Sequence, residues 1–139
     1  MKVLFDTNII LDVLLDRKQF VELSASLVSL VETNDIEGYL CATTVTTIDY
    51  LVTKTHNKKL AKAAIQKLLS LFKIARVDQK VLLLSIESEF TDFEDAVQYF
   101  SGQLVDVDAI VTRNIKDYKK ANYPIYSPRE LWGIIQLDQ

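Results

Sequence analysis

The chain has 139 residues, 49% of them apolar and 25% charged, with a formal net charge of −3. That length and balance suit one domain over residues 1–139 with a proper hydrophobic core, and no apolar run of about 18 residues exists to span a membrane. The mild acidity argues against a strong non-specific nucleic-acid binder. The lone Cys41 cannot form an internal disulfide, so a reducing, cytoplasmic setting is expected. The start MKVLFDTNII lacks a signal-peptide pattern, since Asp6 and Asn8 break its apolar run.

Val3-Leu4-Phe5 reads as a short buried strand that stops at Asp6. Asp6-Thr7-Asn8 offers N-cap chemistry, and Ile9, Ile10, Val13 and Leu14 follow at helical spacing. A second helix is predicted over Phe20–Glu32, broken by Asn34 and Gly38. Gly38–Cys41 is the second strand, and Thr43–Thr53 the next helix, with Val45, Ile48, Leu51 and Val52 inward. Asn57 can cap a helix to Leu71, Ile74–Val77 is a third strand, and Asp78 can cap a helix to about Ile86. Thr91-x-x-Glu94 fits a capping box for a helix to Ser101, with Gly102 just past its end and Phe93 as packing. Ala109–Val111 is a fourth strand, Asn114–Lys120 a short helix, and Pro124–Tyr126 an edge strand, because proline lacks an N–H. Ser127-Pro128-Arg129-Glu130 forms a second capping box with proline at N1, opening a helix with Leu131, Trp132 and Ile135.

Short apolar strands alternating with helices predict βαβ units and a mostly parallel sheet covered on both faces. Ligands of such sheets bind beyond the carboxyl ends of the strands. Asp6 ends the first strand, Thr112, Asn114 and Asp117 follow the fourth, and Asp92 and Asp95 open the helix feeding it. If the first strand is central, these groups meet in a small acidic pocket. With one His and one Cys in the chain, a metal held there would have oxygen ligands, which suits Mg²⁺ or Mn²⁺. The chemistry that needs such a pocket is metal-assisted phosphodiester cleavage.

Each residue also has a plainer role. Asp6 can simply cap the following helix, and Asp92 can complement a helix dipole. Asn114 can be a cap, Asp117 a surface group and Glu94 the capping-box partner. Asp95, near N4, lies past the reach of capping and is the stronger metal-ligand candidate. Asp12, Asp16 and Glu22 read as solvated helix charges and His56 as a surface residue. The tyrosines and phenylalanines read mostly as core, with Tyr50 and Tyr99 left open. Charge is segregated: Lys54, Lys58, Lys59, Lys62, Lys67, Lys73 and Arg76 form a basic block, and residues 81–108 carry only acids.

The strings FDTNIILDVLL (5–15), DFEDAVQYFS (92–101) and DAIVTRNIKDY (108–118) together resemble the PIN domain, in order and spacing, over essentially the whole chain. The likeness is to bacterial PIN nucleases of the VapC toxin type. It implies a three-layer α/β/α sandwich with a five-stranded parallel sheet. It further implies a Mg²⁺- or Mn²⁺-dependent ribonuclease acting on RNA, often the toxin beside an antitoxin protein and often a homodimer. The family's first acidic ligand falls on Asp6, supported by Asn8. The acid of its central DA pair falls on Asp95, and its late polar cluster on Thr112, Asn114 and Asp117. One departure stands out: where most active members carry Glu in the helix after the second strand, this chain has Thr47. Asp49 lies two residues on, about 200° around the helix. Either Asp49 serves through a rotated helix, or one ligand is missing and Asp92 compensates. Under the ribonuclease reading, the basic block from Lys54 to Lys67, with Lys54, Lys58, Lys59 and Lys62, would track the RNA backbone. Other readings are a catalytically weak binding module of the same fold, a flap- or repair-type DNA nuclease, and a plain α/β domain with ordinary capping acids.

Overall fold

Val3, Leu4 and Phe5 are wholly buried, and the strand they form, β1 (Lys2–Phe5), is the middle of a sheet ordered β3-β2-β1-β4-β5. The structure is a computed structural model and describes residues 1–137. Strands β2 (Glu37–Cys41), β3 (Lys73–Ala75), β4 (Ala109–Val111) and β5 (Ile125–Tyr126) all run parallel to β1. The expected parallel α/β architecture is therefore the one observed, with β5 at an edge. Helices are α1 (Thr7–Leu14), α2 (Val21–Glu32), α3 (Ala42–Thr55), α4 (Lys58–Leu71), α5 (Gln79–Glu87), α6 (Phe93–Leu104) and α7 (Pro128–Leu137), with a 3₁₀ turn at Ile115–Tyr118.

Strand alternation sends side chains to two cores. Val3, Phe5, Leu40 and Val111 pack with Ile9, Leu27, Ile48 and Leu131 of α1, α2, α3 and α7. Leu4, Tyr39, Cys41 and Ile110 pack on the other face with Val81 and Val97 of α5 and α6. Gly38 lies within β2, as the strand expected over Gly38–Cys41 has it: a Cβ there would stand 2.7 Å from the Phe72 ring and 2.8 Å from Val31. Gly102 does not end α6, which continues to Leu104. It is the place where α6 meets Tyr123 and Val107, and a Cβ there would stand 2.9 Å from the Tyr123 hydroxyl and 3.0 Å from Val107. Four predicted caps are present: the side chains of Asp6, Asn57 and Asp78 accept the N–H groups of Asn8, Leu60 and Val81, and Ser127 and Glu130 bond each other reciprocally. The remaining boundaries shift by a residue or two, as fraying ends do. The stretch after β4 is a 3₁₀ turn, shorter than the helix predicted over Asn114–Lys120.

Candidate active site

Parallel strands bring Asp6, after β1, and Thr112, after β4, to one edge, and the first turn of α6 faces them. The result is a pocket of about 300 Å³. Asp6, Asp92, Glu94, Asp95 and Asp117 line it, with no lysine or arginine among its walls. Thr7, Asn8, Thr47, Gln98 and Asn114 complete the polar lining.

Asp6 is 3% exposed and both of its oxygens are held. Oδ1 accepts the Asn8 N–H at 3.0 Å, which makes Asp6 the cap of α1. Oδ2 accepts the hydroxyls of Thr112 at 3.1 Å and Tyr118 at 3.0 Å. Burial raises its pKa, opposed by these hydrogen bonds and by the Arg113 charge. Asp6 is thus both cap and pocket carboxylate. The Tyr118 oxygen also lies 3.4 Å from Asp95 Oδ1 and accepts a 3.4 Å bond from the Gln98 amide. One phenolic proton cannot serve both carboxylates fully. The shorter contact goes to Asp6, and Asp95 is left without a strong donor. Burial, then repulsion from Asp6, Asp92, Asp117 and Glu94, pushes Asp95 up to about 7. Burial and nearby carboxylates hold the Tyr118 phenol well above its usual range, so it stays a donor.

The start of α6 differs from the expected capping box. Asp92, not Thr91, is the N-cap, and its Oδ1 accepts the Asp95 N–H at 3.0 Å. Asp95 is therefore N3 rather than N4, and Asp92 does local work while it lines the pocket. Glu94 is released from the expected capping role and lines the pocket as well. Its pKa is raised by burial and by Asp92 and Asp6, with a hydrogen bond from Thr47 opposing. Phe93 is exposed rather than packed.

Thr47 faces the pocket, whereas Asp49 is exposed and outside its lining. The helix is not rotated to bring Asp49 in. Asn114 and Asp117 sit exposed at the mouth; Asn114 makes no side-chain cap, and its N–H donates to Thr112 Oγ1 at 3.0 Å. Lys54, Lys58, Lys59 and Lys62 are exposed on α3 and α4 and none lines the pocket. Lys54 continues the Thr47–Leu51 stripe of α3 outward.

Sequence reasoning misses Tyr118 and Gln98, and it gives Glu94 a cap rather than a place in the pocket. Tyr118 joins partners twenty or more residues away, and no local pattern marks it. Asp12, expected to be solvated, is fully buried, taking Arg113 Nε and Nη2 at 2.7 and 3.1 Å and Arg17 Nη1 at 3.2 Å. Its spacing of three from Ile9, on the buried face of α1, is the available signal. Tyr50 is exposed, and Tyr99 is core, stacked on Tyr123.

Among the described residues, no three Asp, Glu, His or Cys side chains stand close enough to share one ion directly. The donor set still suits Mg²⁺ or Mn²⁺ in kind. Every donor is a hard oxygen, no lysine or arginine lines the pocket, and Mg²⁺ commonly takes one or two carboxylates and keeps several waters.

The PIN domain family model matches residues 2–116. No curated protein sequence matches the chain. The structure is similar to VapBC2 from Rickettsia felis bound to a promoter DNA fragment, with TM-score 0.69 and 16% identity over 91% of this chain and 98% of that one. It is also similar to a toxin–antitoxin complex from Klebsiella pneumoniae, with TM-score 0.68 and 22% identity over 91% and 97% of the two chains. A third similar structure is FitAcB from Neisseria gonorrhoeae, with TM-score 0.70 and 21% identity over 91% and 98%. At these identities the likeness is one of fold.

Proposed function

The chain belongs to the PIN domain family, and from that premise we propose that it is a Mg²⁺- or Mn²⁺-dependent endoribonuclease, the toxin of a toxin–antitoxin pair. The observation that carries this reading is the Asp6–Tyr118–Asp95 link in a pocket walled by acids and free of bases. Carboxylates gathered this way repel one another, and a cation relieves that repulsion.

Asp6 and Asp95 would hold the cation, with Asp92, Glu94 or Asp117 reaching it through water. When bound, the cation supplies positive charge at the scissile phosphate and a water acidic enough to attack. Thr112 and Tyr118 keep Asp6 oriented and favour its charged form. Without the cation Asp95 keeps its proton up to about 7, so the cation competes with that proton for the carboxylate. Asn114 and Asp117, at the mouth, orient that water or the phosphate. The exposed lysines from Lys54 to Lys62 track the RNA backbone away from the pocket.

One of the similar solved structures is a toxin–antitoxin complex, and an antitoxin partner is part of this proposal. An apolar groove of about 470 Å³ between α1, α2, α3 and α4, including Ile10, Val28, Leu60 and Leu68, is the surface that would take its apolar side chains. The outward side of α5, with Leu83 and Ile86 exposed, is the face we assign to a homodimer.

The test is cleavage of single-stranded and structured RNA with Mg²⁺, comparing wild type with Asp95→Asn. A loss of at least about 100-fold, roughly 2.7 kcal/mol in the barrier, is expected. Equal rates would remove Asp95 from the mechanism. Flapped DNA assayed in parallel separates the RNA reading from a DNA nuclease.

A further inference from the structure

Next to the acidic pocket lies a second cavity, of about 470 Å³, with the opposite character. Phe20, Leu23 and Ser24 of the α2 start, Arg113, and Ser127 and Arg129 of the α7 start line it. Its charged walls are the two arginines, with no acid among them. The ten-residue helix α7 opens on it, so the positive end of a helix dipole joins the two guanidinium groups.

Independent of the helix, Ser24 is 1% exposed, and among the described residues its Oγ is the buried side-chain polar atom with no hydrogen-bond partner. An unpaired buried hydroxyl is destabilising, and such groups ordinarily find a partner. A ligand oxygen in this cavity would supply one.

Arg113 is held as a fixed donor. Asp12 grips two of its nitrogens, and Phe20 lies beneath the guanidinium at 3.9 Å. Asp12 is shared with Arg17, so one carboxylate faces two guanidinium groups and a net positive charge remains. The Glu130 carboxylate is turned back onto the Ser127 N–H at 2.9 Å as part of the cap. A rigid arginine, a second arginine and a hydroxyl match a tetrahedral oxyanion with several acceptor oxygens; the helix start adds its dipole, since Pro128 has no N–H and that of Glu130 is held by Ser127 Oγ.

Location narrows the ligand. Thr112 bonds Asp6 and Asn114 lines the acidic pocket, while Arg113 between them belongs to the basic cavity. The two cavities thus lie on either side of one strand end. An acidic pocket repels a polyanion, and a strand bound there needs a phosphate contact beside it.

We propose that the cavity of Arg113, Arg129 and Ser24 is a phosphate subsite that seats the RNA backbone next to the acidic pocket. This rests on the ribonuclease reading for the identity of the strand, but not for the binding of phosphate.

The test uses the full chain without divalent cation, in EDTA. Inorganic phosphate is titrated at constant ionic strength while the amide resonances of Ser24 and Arg129 are followed. Separately, a 3′-fluorescein single-stranded RNA is bound over a range of salt. Saturable shifts at both amides are expected in wild type, weakened about tenfold or more by Arg129→Gln and also weakened by Ser24→Ala. Arg129→Gln should also weaken RNA binding several-fold and flatten its salt slope by about 0.7, one phosphate contact on a single strand. Both variants sit outside the acidic pocket and leave the Asp12–Arg113 pair intact. A flat wild-type response to phosphate, or an unchanged response in both variants, overturns the subsite. A lost phosphate response with wild-type RNA affinity and slope overturns its assignment to the strand. Failure of Mg²⁺-dependent cleavage would sink the nuclease reading alone, since neither arm uses the cation.

Discussion

Tyr118 is the hinge of the site's electrostatics. Its hydroxyl supports the charged form of Asp6, whose oxygens are otherwise deep in the protein. Tyr118→Phe removes that donor and leaves the amide of Gln98 without its acceptor there. A loss of about 1–3 kcal/mol is expected, larger at pH 8 than at pH 5, because the hydroxyl favours the charged form of Asp6. Urea unfolding at both values reads it, and an equal loss at each would mean the hydroxyl serves packing alone. Asp95 gives the opposite kind of signal. Folded Asp95 keeps its proton up to about 7, whereas the free side chain releases it near 3.8. Between those values the folded state binds more protons, so cation-free stability falls as pH rises from 4 to 7. Allowing for its solvent-facing side, the fall is about 1–2 kcal/mol. Asp95→Asn has no proton to lose, should flatten that slope, and should be the more stable protein at pH 8. A slope unchanged by the substitution would assign it to other groups.

At the scale of elements, Asp92 carries two duties that one substitution pair can separate. As N-cap of α6 it satisfies the Asp95 N–H. Asp92→Ala should destabilise by about 0.5–2 kcal/mol, and Asp92→Ser should recover most of that while lacking the charge. If Ser restores stability but not Mn²⁺ affinity, the carboxylate contributes to the pocket beyond capping. If both recover together, capping is its whole role. The same helix marks the limit of what local sequence can tell. The caps at Asn57, Asp78 and Ser127 are legible because a single good cap stands before each apolar stripe. At α6, Thr91 and Asp92 are both good caps, and the choice falls to how the helix docks on β2 and β3. One step of register then moves Asp95 to N3 and releases Glu94 into the pocket. Gly102 reads as a helix end because glycine commonly is one. Its reason is instead the close approach of Tyr123 and Val107, a contact between distant segments. Thr47 against Asp49, by contrast, is legible, since helical geometry alone puts Asp49 on the far flank.

At the scale of the molecule, the central place of β1 does most to build the site. With β4 as its neighbour, Asp6 and Thr112 become adjacent across a sequence separation of 106, and α6 crosses over to add Asp95. Parallel topology and switch-point logic make that edge foreseeable; the Tyr118 link and the buried Asp12 pair with Arg113 are not, because they depend on tertiary packing. The chain thereby pairs an acid pocket with lysines on α3 and α4 and arginines beside β4. Acids gathered at one centre repel one another, and on the proposed reading a cation would relieve that repulsion. Binding to the folded state alone stabilises by RT ln(1 + [L]/Kd), about 2.7 kcal/mol at a hundredfold excess over Kd. For a chain of this size that should raise Tm by roughly 10 °C. Mn²⁺ must displace the proton held by Asp95, so the rise should be large at pH 8 and small at pH 5. Asp6→Asn should abolish it, while Asp49→Asn, outside the pocket, should leave it intact. A Tm rise of the same size at both pH values, or one that survives Asp6→Asn, would move the cation away from this edge of the sheet.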